Sequence, residues 1–429
     1  GVRCGRGGRA TMTRTTNNRR RVYLAIAVAS ALGTAGAMSA MTPSASAAPT
    51  NGCPALHLLG VQGTGESSPG ASPTADTGML GFLLGPVVAA VPDLVARTYI
   101  AYPAGFGGAV GTGGGTDSYA VSVGEGLAAL TATADQIATS CPGTALAVVG
   151  FSQGAQVVSE FARVVGAGGG PVAPERVAGV ALYSDPDRSA DSPVIPGRPG
   201  QLTPDPAPGT AGAAVSGVVI ATAPTSGGGI AAGEGVDYGA LTGRVAQFCV
   251  EGDLSCAAPE HAALLRIAAE IAAQADLRDP LAALGSIHAL MSGVLGDAWS
   301  TVVNRDFRVG PGFVDYAPAA SLAQRLTDAA DPRTPPVSPQ EGAAATARWG
   351  QITGVVAADP FGQLPKLAGQ LSTAWGQLVA DNADLTNPAV WLRYADIHGR
   401  HTGYATTGQL ASGVAWMTAL AHDLAGSHQ

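Results

Sequence analysis

The residues of this chain best placed to do chemistry are Gly150-Phe151-Ser152-Gln153-Gly154. An apolar run at residues 145–149 precedes this G-x-S-x-G, and helical spacing at Val157, Val158, Phe161 and Val165 follows it. Small residues beside the serine let a chain turn tightly from strand to helix, which lifts the hydroxyl clear of a sheet. The helix behind the turn directs backbone N–H groups toward developing negative charge. A glycine-rich turn with an incidental serine is the bland alternative, and the flanking strand and helix weigh against it.

A serine hydroxyl is a weak nucleophile until a base takes its proton and an acid orients that base. Seven histidines are present. His57 falls inside an apolar run and reads as a packed core residue, whereas His422 and His428, in or after the last helical pattern, read as solvated. His261 opens a helix after Pro259-Glu260. His288 lies on the apolar stripe Leu281, Leu284, Met291, Leu295, which reads as a buried structural position. His398 and His401 sit in the polar segment I-H-G-R-H-T-G-Y ahead of a C-terminal helix patterned by Leu410, Val414, Met417, Leu420 and Leu424. A loop in that position is where the base is expected. Asp185, just past the apolar run 177–183, is one candidate acid.

The elements that must position these groups alternate. Continuous apolar runs at 55–61, 98–102, 145–149, 177–183 and 245–250 predict buried strands. A helix capped by Asp117 or Ser118 runs through Val121, Leu127, Leu130 and Ile137. Such alternation predicts an α/β fold, a parallel sheet covered on both faces, with the reacting groups at the carboxyl ends of its strands. Residues 185–233, rich in Gly, Pro and Ser, read as long surface loops. No H-E-x-x-H, Walker loop or complete G-x-G-x-x-G occurs, and the glycine run 105–115 reads as a loop, so neither a metal nor a cofactor is expected.

The chain has 429 residues, 46% hydrophobic and 13% charged, enough to bury a large core. Its first 47 residues hold seven arginines and no acid, and the remainder carries 16 basic and 31 acidic residues. Nucleic acid is therefore not an expected partner, because binding phosphate needs a positive surface. Lys366 is the one lysine, which leaves little room for lysine-based phosphate or Schiff-base chemistry. Arg14, Arg19, Arg20 and Arg21, an apolar stretch over 22–41 and Ala45-Ser46-Ala47 read as a secretory signal peptide, weakly like a twin-arginine signal. An uncleaved anchor is the alternative, and no other run is expected to span a membrane. A secreted or extracytoplasmic location follows, with association with the cell envelope as an expectation. Cys4 would be lost with the signal, and Cys53, Cys141, Cys249 and Cys256 form an even set in an oxidising compartment. Three pairings are open; the short Cys249–Cys256 spacing suits a small loop and leaves Cys53 for Cys141. The spacings do not match a C-x2-C zinc site.

Taken together, these motifs resemble the cutinase family. Gly150-Phe151-Ser152-Gln153-Gly154-Ala155 is similar to its G-Y-S-Q-G-A elbow, with Cys141-Pro142 ahead of it as the family's disulfide cysteine stands. Cys53-Pro54 followed by Gly63-Thr64-Gly65-Glu66 resembles the N-terminal cysteine and first-strand oxyanion loop, although Val61-Gln62 stand where the family has Ala-Arg. C-V-E-G-D-L-S-C, residues 249–256, resembles the disulfide loop that carries the catalytic aspartate, and His401-Thr402-Gly403-Tyr404 the H-x-x-Y that carries the base. The resemblance implies an α/β-hydrolase fold and a serine esterase or lipase with Ser152 as nucleophile, His401 as base and Asp253 as acid, favoured over Asp185. It further implies an oxyanion hole from the backbone N–H groups of Thr64 and Gln153, and lipid or polyester substrates.

The resemblance covers residues 53–256 and about 396–429. The division expected is 1–47 signal and upstream residues, 48–256 first part of the hydrolase core, 257–395 an inserted helical lid, and 396–429 the closing part of the core. Within the insertion, Leu264, Ile267 and Ile271, the stripe at 281–295, and Phe361, Leu364, Leu371, Trp375 and Leu378 predict helices, with a proline-rich break at 332–339. A lid shielding long acyl chains, walled by Trp299, Trp349, Trp375 and Trp391, is the expectation, and a passive elaboration the alternative. A monomer is expected. An acyltransferase with the same residues, or a non-catalytic envelope-binding protein, are the readings from other classes.

Overall fold

The five apolar runs pair into one parallel sheet. Its strands are β1 (Leu56–Val61), β2 (Val95–Tyr99), β3 (Ala145–Phe151), β4 (Val177–Tyr183) and β5 (Val245–Phe248), in the order β2-β1-β3-β4-β5. The computed structural model describes residues 52–233 and 236–427, so the signal segment, Cys4 and His428 lie outside the described residues. Nearly every strand residue is buried, which is why these runs are continuous rather than alternating. Helices α1 (Gly78–Ala90), α2 (Tyr119–Ser140) and α3 (Gln153–Gly166) follow β1, β2 and β3. Ser118 caps α2 by accepting from the Val121 N–H, as its sequence suggests.

Register aligns the carboxyl ends of the strands. Val61 pairs with Gly150, Phe151 with Tyr183, and Tyr183 with Phe248, so the residues that follow open along one edge. The strand order reverses between β1 and β3, and such a switch point opens a crevice between the two following loops. Those loops carry Thr64 and Ser152.

Residues 257–395 hold α4 (Ala263–Gln274), α5 (Pro280–Arg305), a hairpin of β6 (Phe307–Gly310) and β7 (Phe313–Tyr316), α6 (Leu322–Ala330), α7 (Pro339–Ala358) and α8 (Pro360–Ala380). Ser338 and Glu341 form a capping box at the start of α7, just past the proline-rich break. After two short helices, α9 (Pro388–Trp391) and α10 (Ile397–Thr402), α11 (Gln409–Gly426) ends the described chain. It lies with α1 on one face of the sheet, burying Leu410, Trp416, Met417 and Leu420, while α2 and α3 cover the other face.

Several expectations need correction. β2 lies three residues earlier than expected, and α1, apolar on all sides with Pro86 inside it, has no stripe for sequence periodicity to find. The irregular stretch 185–233 is not all surface, because Asp185, Asp187, Arg188, Ile195, Val215 and Ile220 are buried. The stripe on α5 faces outward, with Leu281 80% and Leu284 69% exposed, and His288 beside it is exposed rather than buried. α8 behaves likewise, with Phe361 92% exposed. The covered faces of these helices are carried instead by Val294, Ala298, Val302 and Val303 on α5 and by Gln363 and Leu367 on α8, where the Gln363 side chain accepts from the Val314 N–H of the hairpin. Among the described residues α5 is also long and apolar enough to cross a membrane by length and composition, against the expectation that no run beyond the signal would be.

Candidate active site

Ser152 sits between β3 and α3 with φ 54° and ψ −121°, a conformation that L-residues rarely adopt. The glycines around it are sterically required. A Cβ at Gly150 would lie 2.5 Å from the Gly154 carbonyl oxygen, and one at Gly154 would lie 2.0 Å from the Val61 carbonyl oxygen. Elbow and β1 loop are therefore in backbone contact. The Ser152 N–H donates to the Tyr183 carbonyl at 2.9 Å, fixing the turn to β4.

Thr64 and Ser152 line the same cavity. The β1 loop is braced by Glu66, which accepts from the Gly63 and Met79 N–H groups at 3.2 and 3.1 Å. Burial raises the Glu66 carboxyl above its ordinary range, against these two hydrogen bonds. Gln62, where the family's arginine is absent, bridges to the start of α1: its amide donates to the Thr77 carbonyl and accepts from the Leu80 N–H at 3.2 Å. The Gln153 side chain, fully buried, accepts from Ser122 at 2.9 Å and donates to the Gly105 carbonyl at 2.9 Å, which leaves only its backbone N–H, first in α3, to face a ligand.

His401 stands on α10 rather than in a loop, and its Nδ1 lies 2.9 Å from Asp253 Oδ1. Asp253 is fully buried and also accepts from the Tyr404 hydroxyl at 2.6 Å. Burial acts to raise its pKa, but hydrogen bonds from His401, Ser184 and Tyr404 outweigh this and hold the carboxyl below its usual range. The His401 ring packs 5.1 Å from the ring of Phe151, the residue before Ser152. The Cys249–Cys256 disulfide closes the loop that presents Asp253, and Cys53–Cys141 ties the start of β1 to the end of α2.

The other candidates lie elsewhere. Asp185 is buried and accepts from the Asp187 N–H and the Gln247 amide, with burial raising its pKa, whereas the His401 ring is bonded to Asp253. His261 is exposed and lies 3.8 Å from Asp384. His57 is buried on Thr98, and burial lowers its pKa to about 4, as suits a core imidazole. Sequence reasoning missed Ser184. It follows β4 at the same edge as Ser152, has φ 57°, and places its Oγ 3.0 Å from His401 Nδ1. Its position at a strand's carboxyl end was the available signal.

The cavity at Ser152 has a volume of about 450 Å³. Phe106, Tyr119, Val123, Ile230 and Leu254 supply apolar wall, and residues 257–395 contribute Ala269, Glu270 and Ala273 from α4 together with Pro332 and Arg333. None of the four tryptophans expected as walls lines it. Trp299 and Trp349 stack edge-on against each other at 4.8 Å, half exposed. No group of three or more His, Cys, Asp or Glu side chains fit to hold a metal occurs among the described residues.

Residues 52–264, just under half of the chain, match the model of the cutinase family. Two curated relatives share the similarity. Acetylxylan esterase 2 of Talaromyces purpureogenus is 36% identical over 108 residues, 25% of this chain and 41% of that protein. Acetylxylan esterase of Hypocrea jecorina is 38% identical over 120 residues, 28% of this chain and 35% of that protein. The chain thus spans well under half the length of either relative. Among solved structures, an acetylxylan esterase at 0.90 Å resolution is 20% identical, with a TM-score of 0.35 over 55% of this chain and 98% of that one. Lysin B from Mycobacteriophage D29 is 18% identical, with a TM-score of 0.31 over 69% and 89%. Likeness at that level carries no functional weight. His401, Tyr404, Glu270 and Arg333 are among the site and cavity residues outside the matched span.

Proposed function

We propose that this protein is a serine carboxylic ester hydrolase acting outside the cytoplasm on lipid or polyester esters. The observation that carries the reading is the Asp253–His401 hydrogen bond, formed at the sheet edge that also holds Ser152 in a strained elbow. With Nδ1 donating to Asp253, His401 presents Nε2 as the basic nitrogen. It accepts the Ser152 proton as Oγ attacks the ester carbonyl, and the protonated ring is stabilised by the Asp253 carboxylate. Oxyanion charge falls to the Thr64 and Gln153 backbone N–H groups, each such donor contributing about 3–4 kcal/mol of barrier lowering. His401 then protonates the leaving alcohol, and water releases the acyl group by the same steps in reverse.

The two disulfides support an oxidising compartment. The largely apolar cavity favours an aliphatic portion next to the scissile carbonyl, and the part of the insertion that lines it supports the cap role for residues 257–395. The test is hydrolysis of a p-nitrophenyl acyl ester series by purified protein. Ser152→Ala is expected to lose at least a thousandfold in kcat while keeping the wild-type melting temperature. Hydrolysis undiminished in that variant would remove Ser152 from its role.

A further inference from the structure

The wall of the Ser152 cavity contributed by the insertion is not uniformly apolar. Glu270 lines it from α4 and is only 6% exposed, yet its carboxyl group has no hydrogen bond among the described residues. Glu160 lines the same cavity from α3, eight residues beyond Ser152 and hence about 12 Å along the helix from the nucleophile. Arg333 completes this end. Its Nη1 lies 2.9 Å from Asp187 and 4.0 Å from Glu160, and its Nε lies 2.9 Å from Asp331. Asp187, fully buried, also pairs with Arg163 at 2.6 Å.

Charge in this cluster divides into two kinds. Asp187 and Asp331 are matched by Arg163 and Arg333. Glu270 and Glu160 have no cation to themselves, and burial pushes them up to about 8 and about 7, so near neutral pH each holds its proton for much of the time. Asp185 is likewise raised by burial. A cation would meet Arg333 and an anion would meet the acids; a hydroxyl group suits the site, because it donates to a carboxylate and accepts from a protonated carboxyl or a guanidinium. The Glu270 carboxyl opens to the cavity without a protein partner among the described residues, so a ligand hydroxyl can pair with it directly.

We infer that Glu270 and Glu160, with Arg333 beside them, form a subsite for an uncharged, hydroxyl-bearing part of the substrate, held about two helical turns from the reacting carbonyl and beyond an apolar stretch. The inference deepens the esterase reading and rests on it for the position of the carbonyl. Either half of an ester supplies this chemistry: an acyl chain, or an alkyl alcohol, that carries a hydroxyl at its far end.

Two substrate pairs distinguish these sources. One compares p-nitrophenyl octanoate with p-nitrophenyl 8-hydroxyoctanoate, and the other compares octyl octanoate with 8-hydroxyoctyl octanoate. The quantity read is the ratio of kcat/KM for the hydroxylated member to that for the plain one. Glu270→Leu is expected to lower this ratio about tenfold in one pair, and the pair that responds names the half of the ester that reaches the cluster. Glu270→Gln, with the same shape as the native side chain, guards against misfolding in the Leu variant. Ratios unmoved in both pairs for both variants overturn the subsite. Titration of the same hydroxylated compounds into Ser152→Ala, with and without Glu270→Leu, reads binding apart from hydrolysis. Weaker binding with Glu270→Leu supports the subsite even if the esterase reading fails, and equal binding contradicts it.

Discussion

His401 has one ring nitrogen occupied by a carboxylate that hydrogen bonds keep ionised, and this arrangement separates Asp253 from its rival. Asp253→Asn keeps the shape but offers an amide in place of the acceptor, so the imidazole loses the partner that fixes its tautomer. A fall of about 10³–10⁴ in kcat is expected. Asp185→Asn is expected to stay within about threefold of wild type, since Asp185 bonds Gln247 and the Asp187 backbone instead. Parallel kcat measurements check both. Glu270 gives a pH prediction of its own. Its pKa is raised by burial to about 8, so between roughly pH 4.5 and 8 the unfolded chain has released a proton that the folded protein retains, and stability falls as pH rises through that window. Glu270→Gln removes this loss. Its stability gain over wild type is expected to be near zero at pH 4.5 and on the order of 2 kcal/mol at pH 8.5, measured by denaturant titration at the two pH values.

At the scale of elements, the two disulfides differ in what they hold. Cys249 and Cys256 are 7 residues apart and frame Asp253, whereas Cys53 and Cys141 are 88 apart and anchor β1. Chain entropy assigns roughly 2–3 kcal/mol to the short loop and roughly 4–5 kcal/mol to the long one. Double Cys→Ala replacement at the long bridge is expected to cost more stability and little kcat; the same change at the short bridge should cost less stability but lower kcat at least tenfold. The sheet was legible in the sequence because its strands are buried on both faces and read as unbroken apolar runs. α1 was not, since a helix apolar all round has no stripe, and the stripes on α5 and α8 misled because periodicity identifies a face without saying whether anything covers it. The strained elbow at Ser152, the pairing of Asp253 with His401 and both disulfides were readable from motifs. Ser184 and Glu270 were not: the strand-end position of Ser184 was a signal without a motif around it, and a glutamate in a helix has no signature until the fold surrounds it.

For the molecule as a whole, the span that matches the cutinase family holds Ser152, Thr64 and Asp253, while His401 and one wall of the cavity come from residues beyond it. The account therefore stands on His401 acting upon Ser152 across a long excursion of chain, and that dependence can be read on the reacting oxygen itself. Wild-type protein, His401→Gln, His261→Gln and His288→Gln are treated with a fluorophosphonate, and the modified peptide is mapped by mass spectrometry. The expected result is one adduct, on Ser152, formed at similar rates in wild type, His261→Gln and His288→Gln and slowed at least a hundredfold in His401→Gln. Labelling of Ser152 at the wild-type rate in His401→Gln, or an adduct on another serine, would contradict it.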